Sequence, residues 1–386
     1  MRIATAICLL VVCLMAAMVF TVSILAVNRG IAGTGTTDFV EYWSAGQLLM
    51  RGADPYDPAA TLQLERSAGR STDQPEVTFS PPAIFLLVAP LGLVGAKTGA
   101  VLWMIALIAS FAVSIRLLWI LQGRRPGQLH LLCYCFAPAL TCLMAGQIGI
   151  FLLLGLVLFL YLHTRRPFLA GAALAVCFVK PHLFLLFGTV LVLWAIHRRQ
   201  YKVLAGIGIG LLAACAIAFC FDPHAWPQYE RMITIARPTE PLVPTLSRMF
   251  RYFVDRDAVW LQFLPAAAGC GWAIWYFWRQ RNCWNWMEQG LLLLLVSVAC
   301  APYAWITDES VLLPAILAAL YQAEDSGRSL LPYGLITGAV LAELLRGIWM
   351  TTPYFVWTAP AWLAWYLYAT HGKSEAGGEV FAVSRQ

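Results

Sequence analysis

A few ionisable residues in this chain stand where a charge is expensive. Asp38 follows soon after an uncharged run from Ile3 to Val27, Lys180 and His182 flank Pro181 inside an apolar stretch, and Asp308 and Glu309 separate two apolar runs. Charges at membrane depth usually face a cavity, a partner or a substrate. A carboxylate so placed can take a proton, and an ammonium can hold an anion. Each residue also has a plainer use. Asp38 with Glu41 three residues on reads equally as a capping box. Lys180 can snorkel to the interface on its apolar stem. Asp308 and Glu309 can cap a helix that continues through Leu312 and Leu313, and Glu343 and Arg346 are spaced for a helical ion pair.

The elements that must position these residues follow from composition. Hydrophobic residues make up 60% of the chain, charged residues 12%, and the mean hydropathy is +0.71, a balance that excludes an ordinary soluble domain. The run Ile3–Val27 is longer than a signal-peptide core and has no convincing small-residue cleavage site before Asn28 and Arg29, so it reads as a retained first span. The net charge of +6 does not come from a basic arm, so no nucleic-acid partner is expected. It comes from short clusters between apolar runs: Arg124 and Arg125; Arg165 and Arg166; Arg198, Arg199 and Lys202; Arg279 and Arg281. By the positive-inside rule these clusters face the cytoplasm.

The apolar stretches between them predict an all-α, polytopic integral membrane protein with about twelve transmembrane helices, forming one domain over residues 1–386. Both chain ends come out cytoplasmic, including a tail over 371–386. The run 129–163 turns outside near Gly146 and Gln147, and the run 168–196 turns outside near Lys180, Pro181 and His182. Residues 81–94 are short for a span and read either as a re-entrant half-helix or as a thin crossing. Two outer hydrophilic segments remain, 28–79 and Asp222–Asp257, the second carrying His224, Arg231, Arg237, Arg248 and Arg251. In the first, the run from Asp38 to Met50 reads as an interfacial helix with Phe39, Trp43 and Leu49 or Met50 near one face and Asp38, Glu41 and Gln47 toward others. Ser80 before Pro81 and Pro82 reads as the start of a helix entering the bilayer. Trp226, Trp260, Trp349 and Trp357 read as interfacial belt residues.

No motif points to a metal, a nucleotide or a covalent nucleophile. The eleven cysteines are scattered mostly through apolar runs, and although Cys133 and Cys135 are close, no matching Cys or His pair stands at ligand spacing. There is no Walker loop and no GxGxxG turn, so neither a metal nor a cofactor is expected.

The series Asp38-Phe39-Val40-Glu41-Tyr42-Trp43, Gly52-Ala53-Asp54-Pro55-Tyr56 and Phe79-Ser80-Pro81-Pro82 with Pro90-Leu91 resembles the opening of a polytopic mannosyltransferase-like family of bacterial membrane proteins. These are GT-C glycosyltransferases of the family 87 type, which use polyprenyl-phosphate sugars. Gly146-Gln147, Lys180 after an apolar helix, Trp226 with Tyr229, and Ala301-Pro302-Tyr303 leading to Asp308 are similar to the same family in the same order. One departure is that Glu309 and Ser310 follow Asp308 where an apolar residue is expected.

The resemblance implies a membrane enzyme at the outer face of the bacterial plasma membrane, transferring a mannose-like sugar from a polyprenyl-phosphate donor to a lipid or glycan acceptor. It implies one-step inverting transfer without a metal, with Asp38 as the base that takes the acceptor proton. The departing polyprenyl phosphate needs a cation, for which Lys180 leads and Arg248 and Arg251 are alternates. Glu41, Tyr42, Trp43, Tyr56, Gln147, His182, Tyr303 and Asp308 complete the expected substrate-binding set. The isoprenoid tail stays among membrane lipids. A polytopic transporter or lipid flippase is the alternative reading, but no internal repeat supports it.

Overall fold

The structure, a computed structural model, describes residues 2–29, 37–71, 73–235, 243–347 and 353–371. Arg237, Trp349 and the tail beyond His371 lie outside the described residues. Among those described there is no strand; all regular structure is α-helix or 3-10 turn.

From the N-terminus, α1 (Arg2–Arg29) leads to α2 (Thr37–Met50) and α3 (Pro58–Ser67). Residues Pro82–Leu93 fold as 3-10 turns around one helical turn, α4 (Phe85–Val88), before α5 (Ala96–Leu121). Then come α6 (Ala137–Ala145), α7 (Gly149–Leu162), α8 (Pro167–Leu174), α9 (Leu185–His197) and α10 (Tyr201–Phe221). After α11 (Ala225–Ile235) and α12 (Leu246–Val254), the chain continues through α13 (Leu264–Gln280), α14 (Gln289–Ala299), α15 (Leu313–Asp325), α16 (Leu331–Leu345) and α17 (Thr358–Thr370).

Three of these, α1, α5 and α10, are long and apolar enough to cross a bilayer. The other apolar stretches form shorter or broken helices, and proline is the main reason. Pro138, Pro167, Pro265, Pro314 and Pro332 each stand in the first turn of a helix. Proline is accepted there because its missing N–H would be unpaired anyway, whereas deeper in a helix it would remove a bond and clash with the preceding turn. Short 3-10 pieces at Leu129–Cys135, Val259–Phe263, Ile306–Leu312 and Pro353–Trp357 precede α6, α13, α15 and α17.

Contacts between helices fix their directions. Near the start of α5, Trp103 Nε1 donates to the Gly146 carbonyl just before α7 at 2.7 Å, so α5 and α7 begin at the same end. The rings of His163, just past the end of α7, and Trp194, in the last turn of α9, lie 6.2 Å apart, so α7 and α9 finish together. At that finishing end Arg198 donates to the carbonyls of Arg281 and Asn282, and Arg125 pairs with Asp325 at 2.6 Å. Arg328 there holds the carbonyls of Tyr368 and His371. The basic clusters thus collect at one end of the bundle, and the turns at Gln147 and Lys180 stand at the other.

The segment 81–94 leaves, over residues 92–94, at the Gln147 end. Trp43 Nε1 donates to Val94 O at 3.0 Å, and Gln47 Nε2 donates to Gly92 O and Val94 O. Gly46 and Gly92 touch backbone to backbone: a Cβ on Gly46 would lie 2.3 Å from Val88 O. The helix expected to open after Ser80 is present over Pro82–Leu93 as a 3-10 turn, α4 and a second 3-10 turn in direct succession, the last two docked on α2 and the change to 3-10 falling where Pro90 stands. α2 itself spans the expected residues, with Phe39, Trp43 and Leu49 buried, Asp38, Glu41 and Gln47 partly exposed, and Met50 outside.

Candidate active site

The turn after α6 builds the site. Gly146 takes a left-handed conformation (φ 72°) and Gln147 N–H bonds back to Cys142 O at 3.0 Å, ending the helix. Any side chain on Gly146 would add strain, and its Cβ would lie 2.8 Å from Phe39 Cβ. This close seat on α2 brings Gln147 to Asp38.

Gln147 is the hub. Its Nε2 donates to Asp38 Oδ2 at 2.7 Å. Its Oε1 accepts from Tyr42 OH at 2.8 Å, from Ile148 N–H at 3.2 Å and from Lys180 Nζ at 3.3 Å. Lys180, at the break between two 3-10 turns, donates to Asp308 Oδ1 at 2.7 Å. Asp308 Oδ2 in turn accepts the backbone N–H of Trp305 at 2.9 Å, which holds the 3-10 helix Ile306–Leu312 in place. Residues from α2, the α6–α7 turn, the α8–α9 break and the segment before α15 thus meet in one hydrogen-bonded chain. Lys180 and Asp308 are buried. Glu41, one turn on from Asp38 in α2, has its carboxyl pushed well above the ordinary carboxylate range, first by burial and then by the charge of Asp38.

The remaining expected residues divide. His182 and Tyr303 stack edge to face with ring centres 5.5 Å apart, and Tyr303 OH accepts from Trp305 Nε1 at 2.5 Å. His182 Nε2 is buried with no hydrogen-bond partner among the described residues. Trp43 is engaged with Val94, as above. Tyr56 anchors the outer loop, donating to Ser80 O at 3.0 Å between the rings of Phe85 and Tyr229. Arg248 and Arg251 both donate to Gln262 Oε1, at 3.0 and 3.1 Å, and Arg251 also holds Arg256 O. These bonds lead to the segment before α13 rather than to Lys180.

Two features went unread in the sequence. The anion that meets Lys180 is Asp308 of the same chain, 128 positions away, and a pairing at that separation leaves no local pattern. Trp103 and Trp305 position the site through indole and backbone N–H groups, indistinguishable in sequence from the other fourteen tryptophans of sixteen. Asp38 lies within the first turn of α2, and its carboxylate reaches Gln147.

An acid, an amide, an ammonium and a second acid, linked inside an apolar helical bundle, can accept a proton at one end and hold an anion near the middle. Among the described residues no three His, Cys, Asp or Glu side chains group to hold a metal. The fold and this cluster define a polytopic helical membrane protein with a polar site at one end. Residues 79–331 match glycosyltransferase family 87, and the chain belongs to that family. No curated protein and no solved structure matches it. The family makes it a glycosyltransferase, which requires a sugar donor and an acceptor. The matched region holds Gln147, Lys180, His182, Arg248, Arg251, Tyr303 and Asp308, whereas Asp38, Glu41, Tyr42, Trp43 and Tyr56 precede it. Asp38 and Tyr42 join the matched region through their bonds to Gln147.

Proposed function

We propose that this glycosyltransferase moves a mannose-like sugar from a polyprenyl-phosphate donor to a hydroxyl of a lipid or glycan acceptor, with inversion and without a metal. The observation that carries the reading is the bonded series Asp38–Gln147–Lys180–Asp308, which sets a carboxylate and an ammonium in fixed relation through one amide.

Asp38 is the base. Gln147 Nε2 donates to Oδ2 and orients the carboxylate toward an acceptor hydroxyl. Taking that proton as the hydroxyl oxygen attacks the anomeric carbon contributes roughly 10²–10⁴ in rate for a well-placed base. The bond to phosphate breaks as the new one forms, and the second phosphate charge needs a fixed donor. An ammonium carries three N–H donors. Asp308 and Gln147 take two of those on Lys180, and the third serves a phosphate oxygen. Asp308 keeps Lys180 charged and aimed. Arg248 and Arg251, paired on Gln262, form the alternate phosphate contact. Tyr42, His182 and Tyr303 border the sugar, and Glu41 lies beside the base.

The shorter apolar stretches act as crossings too, giving about twelve. With the basic clusters facing the cytoplasm, the site lies at the extracytoplasmic face of a bacterial plasma membrane. The prenyl tail then stays in lipid while the sugar phosphate meets Lys180. Purified protein given a radiolabelled polyprenyl-phosphate sugar and an acceptor tests the reading. Transfer releases free polyprenyl phosphate and labels the acceptor with inverted configuration, whereas a transporter or flippase would move the donor intact.

A further inference from the structure

Glu309 is the buried acid that the proposed reaction leaves unused. It follows Asp308 in the 3-10 helix Ile306–Leu312, where successive side chains stand about a third of a turn apart. It therefore turns from Lys180 toward the start of α17. Only 4% of Glu309 is exposed, and Thr358, the residue it meets, is fully buried.

The hydrogens there can be counted. Thr358 Oγ1 lies 2.5 Å from Glu309 Oε1 and 2.7 Å from the carbonyl oxygen of Phe355. A threonine hydroxyl has one hydrogen, and a carbonyl oxygen only accepts. With that hydrogen on Phe355 O, the one between Oγ1 and Oε1 has to come from Glu309. A carboxylate would instead leave two acceptors facing one donor. It would also leave Oε2 as a buried charge without a well-formed hydrogen bond among the described residues; the Trp362 indole and the Ala359 backbone N–H face the carboxyl, but the Trp362 N–H does not close a bond to it. None of the described ion pairs reaches Glu309; Lys180, the ammonium of the site, is paired with Asp308. An unpaired buried carboxylate is far costlier than a neutral acid.

We propose that Glu309 is held as the neutral carboxylic acid, donating to Thr358 Oγ1 and clamping the 3-10 helix that carries Asp308 to the first turn of α17. It is a positioning residue, acting through Asp308 on Lys180. That consequence rests on the transferase reading above; the protonation state does not.

Infrared difference spectra of the full chain in detergent, parent minus Glu309→Gln, test it. The expected result is a protonated-acid carbonyl band in the parent that Glu309→Gln removes. In Thr358→Val, where the acid keeps its proton but loses its acceptor, the same band shifts, so the test stands if the Gln variant does not fold. Loss of a carboxylate band instead, or an acid band unchanged in both variants, overturns the proposal. For the positioning role, Glu309→Leu should lower turnover about tenfold and Glu309→Gln, whose amide can still donate to Thr358, should recover most of it. Parental turnover in the Leu variant overturns that role, and a chain without transferase activity leaves the spectra to decide the protonation state.

Discussion

At the scale of single residues, the site is a set of obligations that satisfy one another. Lys180 could not stand in an apolar interior without an anion, and Asp308 could not stand there without a cation. Their contact at 2.7 Å offsets both desolvation costs only while it is intact. Lys180→Met should therefore do more than remove a phosphate contact: it should destabilise the protein by about 3–5 kcal/mol by leaving Asp308 buried and unpaired. Adding Asp308→Asn should restore part of that stability and none of the activity. Thermal unfolding and donor turnover, measured for both single variants and the double, check this; full additivity of the two stability losses would show that the pair is not coupled. Tyr42→Phe removes one of the bonds to Gln147 Oε1 and should lower stability by about 0.5–1.5 kcal/mol, read from the unfolding midpoint.

At the scale of elements, the sequence was informative where a pattern is local. Asp38–Met50 reads as a helix, and α2 occupies Thr37–Met50; the turns expected at Gly146-Gln147 and at Lys180-Pro181-His182 lie where those residues break the apolar runs. A left-handed glycine and a proline are local facts, so they are legible. What could not be read is how the pieces meet. Residues 81–94 read from sequence as either a crossing or a return, and their seat is a contact with a helix some forty positions earlier, where Gly46 meets Gly92. Likewise, Asp38, Lys180 and Asp308 each read as a lone cap or snorkelling charge; Asp38 and Lys180 meet on Gln147, and Asp308 joins them through Lys180 while its other oxygen still caps at Trp305. The Gly46 contact is testable. Gly46→Ala places a methyl 2.3 Å from Val88 O, so the 82–93 segment must move, at a cost of about 1–3 kcal/mol. Because α2 carries Asp38, the surviving folded fraction should also turn over more slowly; an Ala variant with parental unfolding and kinetics would show that this seat does not set the site.

At the scale of the molecule, the chain is polarised. Arg125, Arg198, Arg281 and Arg328 engage partners at one end, and the Gln147 network occupies the other. With the basic end cytoplasmic, a cysteine replacing Ala53 should react with an impermeant reagent added outside intact cells, and one replacing Arg199 only after permeabilisation. The background is a chain with the exposed Cys220 and Cys283 changed to serine. Outside labelling at position 199 would invert the orientation. The base tests the whole account most directly, because asparagine keeps the shape of aspartate and its Oδ1 can still accept from Gln147, but it cannot take a proton. The decisive measurement is turnover of a radiolabelled polyprenyl-phosphate sugar by purified parent and Asp38→Asn protein of equal thermal stability. The account predicts that the variant binds donor but releases polyprenyl phosphate at least about a hundredfold more slowly. Turnover near the parental rate in Asp38→Asn would contradict it.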